Sequence, residues 1–265
     1  MERSTLFWIY RLGIGIILWG MSLSAFATSQ PWQQPNYILD AFHRIALKSE
    51  YVKGEHGIRK WKDSVRYTVS HVVSDSELHD KLVRYHLDHL QSLTGINFIP
   101  ASHPKAANLT IVFTNHQRFL DDARQYFKTN DVTPLRKAVC AANFAVDKNG
   151  WIRRAAVVIP VDLARSKGKL VACVVEELTQ IMGLPNDDDN VFPSIFNDRT
   201  PEQLLTGLDG LLLRLLYLPD IQAGQNWSQV QPIIAPVIES WAREGTIEHA
   251  HRAVRTGELY QLLGW

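Results

Sequence analysis

The sequence of 265 residues lacks an excess of either charge: 28 Lys and Arg stand against 27 Asp and Glu, a formal net charge of +1. A chain so balanced has no field of one sign to hold a phosphate backbone, so nucleic acid is not an expected partner. Cysteine is nearly absent. Cys140 and Cys173 form neither a CxxC pair nor a Cys/His cluster of zinc spacing, which removes thiol redox catalysis and a structural zinc centre from consideration. There is also no glycine-rich phosphate loop and no GxSxG elbow, leaving nucleotide use and serine hydrolysis without support. Repeats, Ser/Gly-rich linkers and long charge runs are missing as well. What remains, 46% hydrophobic and 21% charged residues, is the composition of a folded globular protein.

The one long apolar run lies at the start. Leu6 to Ala27 reads LFWIYRLGIGIILWGMSLSAFA, interrupted by Arg11 and ending in the small-residue site Ala25-Phe26-Ala27. This is the pattern of a secretory signal peptide over residues 1–27, with a retained anchor helix as the alternative. Its removal takes away Glu2, Arg3 and Arg11 and brings the net charge to zero. A periplasmic or secreted location follows, with no stable membrane insertion after cleavage. In such an oxidising compartment Cys140 and Cys173 are expected to form a disulfide, although spacing alone leaves two buried free thiols open.

Ile38, Ala41, Phe42, Ile45 and Ala46 recur at helical spacing and predict a lead-in helix over 36–51. Val65, Tyr67 and Val69 alternate with polar neighbours as in a half-buried strand. Leu78 to Leu93 returns to helical spacing and stops at Thr94-Gly95. Residues 97–99, 108–113 and 154–161 read as strands, the last of them at a sheet edge, and 169–182 as a helix ended by Gly183. The alternation predicts an α/β (α+β) fold with helices covering a twisted sheet. His79, His86 and His89 share one face of the Leu78 helix and are read, like His249 and His251, as solvated surface rather than metal ligands. The domain is expected over 28–225. A helical extension over 226–265 should pack on it through Ile233, Ile234, Val237, Ile238 and Trp241, its first helix limited by Pro232 and Pro236.

The informative segment is Cys173-Val-Val-Glu176-Glu177-Leu-Thr-Gln180-Ile-Met-Gly183-Leu-Pro-Asn186-Asp187. Val174, Val175, Leu178, Ile181 and Met182 form an apolar stripe. Glu176 and Gln180, at i and i+4, project together with Glu177 beside them. The string resembles the zinc-protease motif HExxHxxGxxH/D with its ligands replaced. On that likeness Glu176, Gln180 and Asn186 stand at the metal-ligand positions, Glu177 at the catalytic glutamate and Gly183 at the glycine turn. The order of elements around it is similar to that of the metzincins. Phe196, in the run that includes Asn197 and Asp198, stands where those proteases carry a methionine, and the helix bearing Asp209, Arg214 and Tyr217 looks like their final helix. EELTQ-x-x-GL-x-ND together with PSIFND and the LLRLLY helix also resembles the proteobacterial secreted family known as domain of unknown function 2927.

With one carboxylate and two amide oxygens in place of imidazoles, the substituted site suits calcium better than zinc, and neither metal is an expected cofactor. Glu177 then has no metal to acidify a water, and classical metalloprotease activity is not expected. The leading expectation is a non-catalytic pseudoprotease that receives a peptide or envelope protein by strand addition. The alternative is a metal-free hydrolase with Glu176 and Glu177 as an acid/base pair, glycoside cleavage being one candidate. A calcium-binding loop at 186–190 is compatible with both readings, and a solvated turn is the simpler account of it.

Overall fold

The computed structural model describes residues 30–49, 54–200 and 202–264. The expected signal peptide, Tyr51 and Trp265 lie outside the described residues. Among the described residues five strands form one sheet: β1 (Val65–His71), β2 (Phe98–Pro100), β3 (Leu109–Thr114), β4 (Ala141–Val146) and β5 (Ile152–Pro160), in the order β2-β1-β3-β5-β4. All neighbours run parallel except β4, which is antiparallel to β5. The segment 154–161 is therefore no edge, because β5 is hydrogen-bonded to β3 on one side and to β4 on the other. The edge beside it is β4, whose Ala-rich sequence carries little strand propensity of its own.

Strand alternation divides the interior in two. Leu109, Ile111 and Phe113 of β3 and Ala155, Val157 and Ile159 of β5 face the main core, which also takes in helices α2 (Ser76–Thr94), α5 (Leu170–Gln180) and α6 (Gly207–Leu216). Val112, Ala156 and Val158 point the other way, into a smaller cluster with Phe119, Ala123 and Phe127 of α3 (Phe119–Phe127). A short α4 (Val161–Ser166) leads from β5 to α5. The lead-in helix α1 spans Pro35–Ala46, ending earlier than its periodicity predicts. The Leu47 carbonyl is taken instead by the returning chain at His56 N, 2.7 Å away.

Helices α7 (Trp227–Arg243), α8 (Thr246–Val254) and α9 (Glu258–Leu263) follow α6. Pro232 and Pro236 do not limit α7, which runs through both. They stand i, i+4 on its exposed side, so the carbonyls they leave without an amide partner face solvent, while buried Val230, Ile234, Ile238 and Trp241 hold the opposite face. His43 of α1 stacks on Trp227 at 4.4 Å, and the Arg214 guanidinium of α6 lies 4.6 Å from the Trp241 ring centroid.

A short extended segment, 57–61, ties the elements together. Ile152 N donates to Lys60 O, Ile58 N to Gln225 O, and Gly224 N to Ile58 O. The Trp61 indole donates to Ile181 O at 2.9 Å, and the Lys60 ammonium to Leu216 O at 2.8 Å and Ile221 O at 3.0 Å. Burial pushes that ammonium down to about 8. Gly183 makes the approach possible: its φ is +111°, and a Cβ there would lie 1.8 Å from Arg59 O. Gly183→Ala should therefore lower unfolding stability by about 3 kcal/mol or more, read as a fall in the urea midpoint.

Candidate functional site

Helix α5 carries Glu176, Glu177 and Gln180 to the wall of a cleft of about 360 Å³, which Cys140, Lys169, Asp187 and Asp198 also line. The apolar stripe is buried as its spacing requires, Val174, Val175, Leu178, Ile181 and Met182 all being 1% exposed or less. That burial fixes the rotation of the helix and brings the polar trio to the cleft wall. Glu176 and Gln180 are half-buried and Glu177 is buried at 5% exposure. Gln180 Nε2 donates to Asp187 Oδ1 at 2.9 Å. Asn186 does not reach it. After the Gly183 turn its Nδ2 donates to Arg44 O of α1 at 3.0 Å, and Asp187 is the residue that lines the cleft.

The loop after Asn186 is tied to the protein, not merely solvated. Asp188 receives Asn190 N at 2.9 Å and the Arg44 guanidinium at 3.2 Å, and these donors hold its carboxyl below the usual range against the opposing effect of burial. Asp189 pairs with Arg199 at 2.6 Å. Asn197 Nδ2 donates to Asp189 O and Val191 O, both at 3.0 Å. Among the described residues no group of three His, Cys, Asp or Glu is placed to hold a metal ion.

Phe196 is fully buried in the turn over 194–198, and its carbonyl accepts from Asp188 N at 2.9 Å. Asp209 organises that turn from the first residues of α6. Its carboxylate accepts from Ser194 Oγ at 2.6 Å, Ile195 N at 3.2 Å and Thr206 N at 2.7 Å. Complete burial outweighs these donors and pushes Asp209 up to about 6. Tyr217 donates to Met182 O at 2.9 Å and accepts from Trp61 N at 3.2 Å, joining the end of α6 to the end of α5. Arg214 lies on α7 instead, and Asp198 approaches Lys169 at 3.7 Å. The final-helix residues thus anchor the helix and turn around the site without entering the cleft.

The histidine face of α2 is buried, not solvated: His79 is 0%, His86 1% and His89 7% exposed. It meets the back of α5, where Thr179 Oγ1 donates to Val175 O and accepts from His86 Nε2 at 3.0 Å, an arrangement that assigns the proton to Nε2. His89 abuts Gly257, where a Cβ would lie 2.5 Å from Nδ1. Desolvation drives His86 down to about 3 and His89 to about 4. His249 and His251 are exposed, as read.

Cys140 and Cys173 form a disulfide with Cα atoms 5.9 Å apart. It fastens the start of β4 to α5 one turn before Glu176 and Glu177. A second cavity of about 220 Å³ shares Gln180 and runs beside Ala142, Asn143 and Phe144 of β4. The two cavities thus adjoin at Gln180 of α5, and the second of them lies beside the outer strand of the sheet.

These features define an α/β protein with an acidic, helix-walled cleft along its antiparallel edge strand. The chain belongs to the family described as protein of unknown function (DUF2927), whose model matches residues 35–236. No curated protein matches it. Among the described residues no helix is long and apolar enough to cross a membrane. The disulfide is compatible with an extracellular or periplasmic location.

Two measurements follow. Replacing both cysteines by alanine should cost about 4 kcal/mol for a loop closed across a separation of 33 residues, read by thermal or urea unfolding under non-reducing conditions. Stability should also fall with acid. Between about pH 6 and 4 the unfolded chain binds protons at His86 and His89 that the folded chain refuses, whereas folded Asp209 binds one that unfolded aspartate does not. The histidines prevail by about one proton, so stability should drop by on the order of 1 kcal/mol per pH unit, checked by urea midpoints across that range.

Proposed function

We propose that this is a secreted or periplasmic, metzincin-like pseudoprotease that binds an extended peptide or envelope protein segment in the α5/β4 cleft. The observation that carries the reading is the meeting of two features at adjoining cavities that share Gln180. One is the outer edge of β4, unpaired among the described strands. The other is the trio Glu176, Glu177 and Gln180 on the facing helix. An unpaired edge offers a peptide a row of backbone donors and acceptors, and side chains along the groove supply selection. In place of two histidines at the ligand positions the helix presents a carboxylate and an amide, the amide already bonded to Asp187. That chemistry favours holding a ligand over activating a water.

The test uses an array of random nonapeptides. Backbone N–H groups alternate in direction along a strand, so one of Ala142→Pro and Asn143→Pro removes an outward amide without breaking the β4/β5 ladder. That variant should keep the wild-type melting temperature and lose array binding. Unchanged binding by both variants would sink strand addition. Dialysed protein should give no thermal shift with zinc, and stoichiometric retained zinc would reopen hydrolysis.

The side-by-side placement of Glu176 and Glu177 in the cleft favours one second reading, a metal-free acid/base hydrolase. Any turnover found on a panel of chromogenic glycosides should then vanish in Glu177→Gln.

A further inference from the structure

We infer that Arg59 makes the Phe144 end of the cleft a carboxylate-binding subsite, so that the preferred peptide carries an acidic side chain or a free C-terminus at that point. The inference rests on the strand-addition reading and adds the chemistry of the ligand. Arg59 lines the smaller cavity with Ser49, Asn143 and Gln180, and its guanidinium lies 5.9 Å from the centroid of the Phe144 ring on the edge strand. Of the other cations near this face, Arg44 pairs with Asp40 and Asp188, Arg199 with Asp189, and Lys169 approaches Asp198, while Lys137 lines the adjoining cavity with Lys169 and not the one beside Phe144. Among the described residues no carboxylate pairs with Arg59, and desolvation by burial lowers its pKa below the ordinary guanidinium value.

The charge is also preorganised. Arg59 sits between Ile58 and Lys60, whose backbones are hydrogen-bonded to Gly224, Gln225 and Ile152, and its own carbonyl is seated against Gly183. A partly desolvated guanidinium on a fixed backbone gains more from a planar anion than a mobile surface cation does, because little ordering entropy is lost on binding. Ser49 and Asn143 supply neutral polar groups in the same cavity for the remaining lone pairs. A carboxylate fits better than a phosphate dianion: Arg59 is the one cation lining this cavity, and in the adjoining one Glu176, Glu177, Asp187 and Asp198 outnumber Lys137 and Lys169, which disfavours added negative charge.

The experiment probes the nonapeptide array in two forms, one with amidated and one with free C-termini, using wild-type protein, Arg59→Gln and Arg59→Lys. Wild type should favour peptides containing Asp or Glu in the amidated form, free termini in the other, or both, by at least tenfold over neutral peptides. Arg59→Gln should lose the preference yet still bind neutral peptides, and Arg59→Lys should keep part of it. The lysine variant also decides the matter if the glutamine variant melts early. Peptide binding without any preference for a carboxylate overturns the role of Arg59 and leaves strand addition standing. Absence of all peptide binding overturns both.

Discussion

The structure depends on the contact between the backbone of Arg59 and the turn at Gly183. No side chain can stand at residue 183, because the space for its Cβ is filled by a carbonyl oxygen. That approach brings one short segment against the ends of two helices. Trp61 takes the Ile181 carbonyl from the end of α5, and Lys60 takes the Leu216 carbonyl from the end of α6. Helix C-termini leave carbonyls without amide partners and carry partial negative charge, so a buried ammonium is well placed there. The same segment is bonded to the start of β5, which sets the sheet relative to both helices.

Helix α5 is consequently held on three sides. Its C-terminal turn is fixed by Trp61 and Tyr217, its back by His86 through Thr179, and its front by the disulfide to the edge strand. Each restraint acts on backbone or on a buried side chain, leaving Glu176 and Gln180 as groups that face the cleft. Asp209 plays the corresponding part for the turn below, spending its lone pairs on two backbone amides and a hydroxyl. The acidic cleft is thus built on rigid elements, which is the arrangement that favours recognition at low entropic cost.

Much of this was legible in the sequence wherever local periodicity decides the outcome. The alternation in β1, β3 and β5 and the apolar stripes of α1, α2 and α5 predict those elements, and the i, i+4 spacing of Glu176 and Gln180 agrees with their lining one cavity. Long-range pairing was not legible. Strand periodicity in 154–161 does not say which strands flank it, and AANFAV in β4 is too weak a pattern to announce an edge. The His79, His86 and His89 face looked polar because imidazole is usually wet, yet tertiary packing buries it. Prolines that end helices locally are tolerated in α7 because its other face is held by the core. The turn geometry after Gly183 turns Asn186 toward Arg44, and Arg59 joins the site only through a contact between distant segments.

The family match ends at residue 236, in the middle of α7. What lies beyond is no appendage. Gly207 and Gly210 of α6 admit α8 at backbone distance: a Cβ at Gly207 would lie 2.7 Å from His251 N, and one at Gly210 3.5 Å from a Val254 methyl. Val254, Leu259 and Tyr260 are buried in the same core as the sheet. A fragment cut at the family boundary would therefore bare the glycine groove of α6 and the imidazole of His89 together, so the smallest unit worth expressing extends through α9.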